Sequence, residues 1–283
     1  MAELSEFHPA IQQAVIRHQE FFAGKRDYLI KVIVPIDCKE ELEPEIHFND
    51  VDWQNGFDDY VRLKVENGKK TARRRLAMGI EDDTIPYYYP YFGSSIHHSF
   101  YGGQVSFSKG TSYVEPVITS SAQWKELRPD MNSPWLQKLA KGLAYCRDHG
   151  EGVLLASYRG ANGPLDMVNA VMGNNMFTEF YDDPDNLHRT LEECTAVIMP
   201  LFDLQRENNT EIAGGRIVPM GNMWVPNDVV GHIALDAACL AGAAFYEEFE
   251  RPYLEKVTGA CGGAYIHSHA WPTRIHRHGQ NEG

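Results

Sequence analysis

Two histidines alternate in the run Gly262-Gly-Ala-Tyr-Ile-His-Ser-His-Ala270, at positions 267 and 269. The run reads as a strand, and alternate positions of a strand face the same side. Its two imidazoles therefore share a face, and imidazole suits zinc. His267 and His269 are two ligands only; a third has to come from elsewhere in the chain. The alternative is a hydrogen-bonded polar residue inside the fold with no metal. His276 and His278 repeat the spacing in a tail that carries no strand or helix pattern. For general acid or base chemistry the candidates are Asp83, ahead of an aromatic run, and Asp236, which closes Gly231-His-Ile-Ala-Leu-Asp236. Asp83 reads equally well as a turn cap. Cys239 could likewise supply a ligand or a general acid or base, but it sits among Ala and Leu and reads more readily as a buried, inert thiol.

Ligand walls have their own candidates. Asp82-Asp-Thr-Ile-Pro-Tyr-Tyr-Tyr-Pro-Tyr-Phe-Gly93 is dense in rings, and Tyr89 and Phe92 stand either against a flat ligand or in plain core. Trp224 is a pocket wall or a loop residue packed on its neighbours. Arg159 and Asn162 belong to a Gly/Pro-marked loop, Arg159-Gly-Ala-Asn-Gly-Pro-Leu-Asp, that opens a helix at Asp166. The basic run Lys69-Lys-Thr-Ala-Arg-Arg-Arg75 could bind a carboxylate or phosphate, but reads more readily as a solvated helix face.

These residues must be carried by something. Apolar, β-branched runs give candidate strands at 28–36, 85–92, 153–158, 214–220 and 263–269. Helical spacing places helices at 8–23 and 57–78, another starting at Ser133-Pro, and a long one opening at Asp183-Pro184 with a kink at Pro200. The Gly- and Ser-rich stretch to about 120 is a hairpin or a lid. Strands alternating with helices argue for a parallel sheet, which presents its chemistry at the strands' C-terminal ends.

Composition removes several classes. The chain has 283 residues and a net charge of -13, which disfavours nucleic acid as a partner. No glycine fingerprint follows a strand, so no NAD site is expected. No apolar run is long enough to cross a membrane. Five cysteines without paired spacing suggest reduced thiols in a cytoplasmic protein, and the acidic N-terminus does not read as a signal peptide.

Gly163-Pro-Leu-Asp, Phe177-Thr-Glu-Phe-Tyr-Asp-Asp-Pro-Asp-Asn-Leu-His188, Phe245-Tyr-Glu-Glu-Phe-Glu-Arg-Pro-Tyr and Gly262-Gly-Ala-Tyr-Ile-His-Ser-His together resemble the uroporphyrinogen decarboxylase superfamily. The resemblance implies an α/β fold, a TIM-like (β/α)8 barrel, as one domain over 1–270 with an irregular tail over 271–283. About five of eight strand–helix units are in register, so the barrel is expected to be incomplete at its C-terminal side. Either a partner chain, such as a second copy in a homo-oligomer, is then expected to cover the open sheet edge, or the monomer is expected to be unstable. The superfamily's cobalamin-dependent methyltransferases hold zinc with a His-x-Cys pair and a later Cys; here His267 and His269 match the pair. A corrinoid would be the methyl carrier. True decarboxylases carry an arginine-bearing loop for substrate carboxylates, whereas this chain has Asp37-Cys-Lys-Glu-Glu. The resemblance therefore favours a metal-dependent methyltransferase acting on a small methylated compound or a corrinoid. The runner-up is decarboxylation of a tetrapyrrole. A third reading is a non-catalytic remnant or binding module.

Overall fold

The computed structural model describes residues 3–240 and 242–268. Its helices are α1 (Pro9–Phe22), α2 (Phe57–Ala77), α3 (Pro134–His149), α4 (Pro164–Met172), α5 (Met176–Asp182), α6 (Pro184–Ala196), α7 (Ile198–Asn208), α8 (Asp236–Leu240), α9 (Ala243–Phe245) and α10 (Arg251–Gly259). Its strands are short: β1 (Tyr87–Tyr88), β2 (Val105–Ser108), β3 (Thr111–Val114), β4 (Leu155–Ala156), β5 (Ala161–Asn162), β6 (Gly215–Val218), β7 (Met223–Pro226), β8 (Val229–Ala234) and β9 (Gly263–His267). The fold is mixed α/β. The described strands lie in four small sheets, and a closed eight-stranded barrel is not among them. The chain divides into two compact units, each woven from three segments.

The first unit comprises Met1–Tyr91, Gln137–Arg159 and Asp203–Val230. Strands β1 and β4 pair in parallel, with Tyr87 opposite Leu155. Helix α1 forms where expected: His8 caps it by accepting the N–H of Ala10, and Pro9 occupies the first turn. Its stripe of Ile11, Val15 and His18 is fully buried. Ile11 and Val15 pack with Ile85, Leu155, Ile217 and Trp224 in one cluster. Burial without a partner at Nε2 lowers His18 to about 4, so the ring is neutral.

Three sequence expectations change here. Residues 28–36 form no strand. The segment is tied to residues 82 and 83 instead: Asp83 accepts the Ile30 N–H through its carboxylate at 2.5 Å and donates its own N–H to Ile30 O at 2.7 Å, and Asp82 accepts the Val32 N–H at 2.7 Å. Apolar composition alone could not foretell that carboxylates would stand in for a strand neighbour, and Ile33 is 97% exposed. The expected strand at 214–220 is one arm of an antiparallel hairpin, β6 against β7. The basic run of α2 is not a solvated face throughout. Lys69 is buried between Glu66 at 2.8 Å and Glu151 at 2.6 Å, and Arg75 is buried on Asp82 at 2.7 Å. Long basic stems can be buried when their heads find carboxylates.

The second unit comprises Phe92–Leu136, Gly160–Phe202 and Gly231–Gly283. The excursion toward residue 120 contains a hairpin, β2 against β3. A three-stranded sheet runs in the order β5, β8, β9, with Ala161 opposite Ile233 in a parallel pairing. Asp183 caps α6 by accepting the Asn186 N–H at 3.3 Å. The long helix breaks at Val197 into α6 and α7. Pro200 accounts for the break, because its ring clashes with the carbonyl four residues earlier, that of Ala196.

Candidate functional site

Three strand ends meet in the second unit. Strand β5 ends at Asn162, and the next residue, Gly163, donates its N–H to Ala234 O, at the end of β8, at 2.7 Å. Leu235, one residue beyond β8, donates to His267 O at the end of β9 at 2.9 Å. Whatever follows these strands is thereby gathered at one edge. The rings of His232 and His267 stand edge to face with centroids 5.7 Å apart. The Cys239 thiol lies 2.8 Å from Ser268 Oγ and 3.1 Å from Leu235 O. Asp236 is exposed at the first turn of α8. Three residues singled out from the sequence, Asn162, Asp236 and His267, are thus brought together. Gly160 is needed for this closeness. Its φ is +99°, and a Cβ there would lie 2.4 Å from the His232 carbonyl oxygen.

Beneath this edge lies a pair of carboxyl groups. Glu250 is 0% exposed and ends a π-helical turn, Tyr246–Glu250, between α9 and α10. Such turns often mark functional positions. Its Oε2 accepts the Leu165 N–H at 2.7 Å, at the start of α4. Asp166, the next residue, accepts the Ala237 N–H of α8 at 3.0 Å through Oδ1. Glu250 Oε1 and Asp166 Oδ2 have no hydrogen-bond partner among the described residues. Burial pushes Asp166 up to about 7, with Asp236 adding to the rise. Burial, with Asp166 nearby, raises Glu250 well above the usual carboxylate range. Gly163 makes room, since a Cβ on it would stand 2.9 Å from Glu250 Oε1.

This pair was missed in the sequence. Asp166 read as a first-turn residue. Glu250 was legible in principle: it recurs at helical spacing with Tyr246, Tyr253 and Leu254, all buried, and a Glu on an apolar stripe is unusual.

Of the two expected zinc ligands, His267 is described, at the end of β9. Among the described residues, no three His, Cys, Asp or Glu side chains converge to hold an ion. His269 lies outside the described residues.

The other candidates stand elsewhere. Asp83 is 1% exposed in the first unit, paired to Arg17 at 2.5 Å and hydrogen-bonded to the 28–32 segment. Trp224 is core there, its Nε1 donating to Ile212 O at 2.8 Å. Tyr89 stacks on Tyr87 with centroids 6.1 Å apart. Arg159 is buried within electrostatic reach of Tyr89, and desolvation lowers its pKa. The Arg159 N–H donates to Gln205 Oε1 at 2.8 Å. Phe92 belongs to the second unit and is fully buried, 6.3 Å from the Trp135 ring.

Fold and site together define an α/β protein with polar chemistry at the carboxyl ends of parallel strands. No family model matches the sequence, and no curated protein does. Among solved structures, the fold is similar to that of a methyltransferase from Methanosarcina mazei, with a TM-score of 0.50 and 13% sequence identity. The match covers 75% of this chain and 58% of that one, so the chain spans little more than half of that structure's length. The likeness is one of fold. No described helix is long and apolar enough to cross a membrane.

Proposed function

We propose that the chain is a methyl-transfer enzyme of the uroporphyrinogen decarboxylase superfamily, acting on a small methylated compound or a corrinoid at the ends of β5, β8 and β9. The observation that carries this reading is the approach of the His232 and His267 rings at the strand ends, beside a buried carboxyl pair, in a fold similar to that of a methyltransferase. In methyl transfer the acceptor attacks the methyl carbon, and the leaving group departs with the bonding electron pair. The imidazoles of His232 and His267 can orient an acceptor thiol or take its proton. Asp166, held near neutrality, can return a proton to the leaving group. A second copy covering β9, which ends the described sheet order, belongs to the same proposal.

The test is to incubate the purified chain with methylcobalamin, and separately with methylated amines, alcohols and sulfides, plus a small thiol. Formation of the methyl thioether faster than in buffer, and at least about tenfold slower in His267→Ala, is expected. No methylated product from any donor sinks the proposal. Carbon dioxide release from a tetrapyrrole carboxylate would favour decarboxylation instead. That reading has less support, because both carboxylate oxygens of Asp83 are committed to Arg17 and the Ile30 N–H. Zinc content of the wild type and of a His267→Ala, His269→Ala double variant tests the metal expectation separately.

A further inference from the structure

Residues 28–38 run without a helix, turn or bend. In an extended chain, successive backbone N–H and C=O pairs point to opposite sides. One side of this run is filled. Ile30 bonds to Asp83 through both its N–H and its C=O, the Val32 N–H bonds to Asp82, and the Val32 C=O accepts from Arg75 at 3.2 Å. The other side is open: the backbones of Leu29, Lys31 and Ile33 make no hydrogen bond among the described residues. This is the arrangement of an edge strand, in a run rich in β-branched residues.

The same stretch carries an apolar surface. Tyr28, Ile30, Val32 and Ile33 are exposed, and so is Met220, which shares a cavity wall with Val32 and Ile33. Exposed apolar groups gathered in this way mark an interaction surface. Lys31, the one charge between Tyr28 and Ile36, has its ammonium buried and does not stand over the edge. Pro35 lacks an N–H and ends the stretch that can pair. The two ends differ in charge. Lys25 and Arg26, with Asp27, precede the run; Asp37, Glu40 and Glu41, with Lys39, follow it. Of these charges Arg26 alone has an ion pair among the described residues, with Asp83 at 3.7 Å.

We propose that this surface pairs with a second copy of the chain, the two 28–34 stretches lying antiparallel about a two-fold axis and exchanging hydrogen bonds along their open sides. The charges select a second copy as the partner. A two-fold axis reverses one stretch against the other, so each basic end meets the other copy's acidic end, and the match is made twice. Parallel pairing would oppose like ends. The surface lies in the first unit and rests on neither the methyl-transfer reading nor the edge at β9.

Sedimentation equilibrium of the full chain tests it. The wild type is expected to dimerise with a Kd below about 100 µM. Ile33 is 97% exposed, so Ile33→Glu spares the fold, and it should raise that Kd at least about tenfold. Lys25→Glu and Asp37→Lys should each weaken the dimer about twofold or more, and the double variant should restore it. Amide hydrogen exchange reads the backbone directly: Leu29, Lys31 and Ile33 should be protected in the wild-type dimer and exposed in Ile33→Glu, with Ile30 and Val32 protected in both. A wild type that stays monomeric at about 100 µM would overturn the proposal. So would a dimer indifferent to Ile33→Glu, which would place the contact on another surface such as the β9 edge, or equal exchange at Leu29, Lys31 and Ile33 in both proteins. A double charge variant no tighter than either single one would overturn the antiparallel arrangement.

Discussion

Glu250 accepts the N–H of Leu165, and Asp166, the next residue on the same helix, lies close enough to raise the Glu250 pKa. Each carboxyl spends one oxygen on a helix N-terminus and keeps the other free of hydrogen bonds among the described residues. The helix dipoles and N–H groups favour the anions. Burial opposes them and wins, because the rise in pKa is large for both groups.

Asp166 should therefore give stability an acid-side slope. Its folded value of about 7 lies above the ordinary unfolded value near ~3.9. Between these the folded chain binds more protons than the unfolded one, so stability falls as pH rises from about 4 to about 7 and then levels off. The full effect is on the order of 4 kcal/mol. Asp166→Asn removes the titration and should flatten this part of the curve. Urea midpoints of both proteins at pH 5 and pH 8 check it; parallel curves would refute the assignment.

Glu250 separates charge from shape. Glu250→Gln keeps an acceptor for the Leu165 N–H and should be neutral or stabilising at pH 8. Glu250→Ala leaves that N–H unsatisfied beside a cavity and should cost about 2–4 kcal/mol. Chemical denaturation of both variants at pH 8 distinguishes them, and equal losses would show that the hydrogen bond is unimportant.

At Gly160 an added Cβ meets a backbone carbonyl, and its φ of +99° is strained for any L side chain. Gly160→Ala should lower stability by about 1–3 kcal/mol. It should also move the His232 and His267 imidazole resonances, observable by NMR. Unchanged resonances would mean that the approach of Gly160 does not set the ring positions.

Arg17→Met would leave Asp83 buried against the weaker partner Arg26, 3.7 Å away. Removing the close partner of a buried carboxylate costs about 3–5 kcal/mol. Residues 28–32 should then become readily cleaved by proteases, since their ties run through Asp83 and Asp82. A variant as resistant as the wild type would show that Arg17 contributes little.

Much of the scaffold was readable in the chain because its signals are local. Asp183-Pro184 and His8-Pro9 cap helices by side chain and φ alone, Pro200 interrupts its helix by a clash within one turn, and α1 buries Ile11, Val15 and His18 of the stripe its spacing describes, while Phe22, at the end of that stripe, is 39% exposed. The strands at 85–92, 153–158 and 263–269 were placed in the right stretches, although only part of each pairs. His267 and Asp236 lie at strand ends because that is where polar residues follow apolar runs.

Local order alone could not place partners distant in the chain. That Val32 would meet Asp82 rather than a neighbouring strand, or that Lys69 would find Glu151, depends on which segments fold together. The sequence by itself determined helix limits, the apolar stripes and the polar strand ends, each set by neighbours within a few residues. Tertiary structure alone decided that Glu250 and Asp166, 84 positions apart by their numbers, share a buried site where desolvation keeps protons on carboxyls that water would ionise.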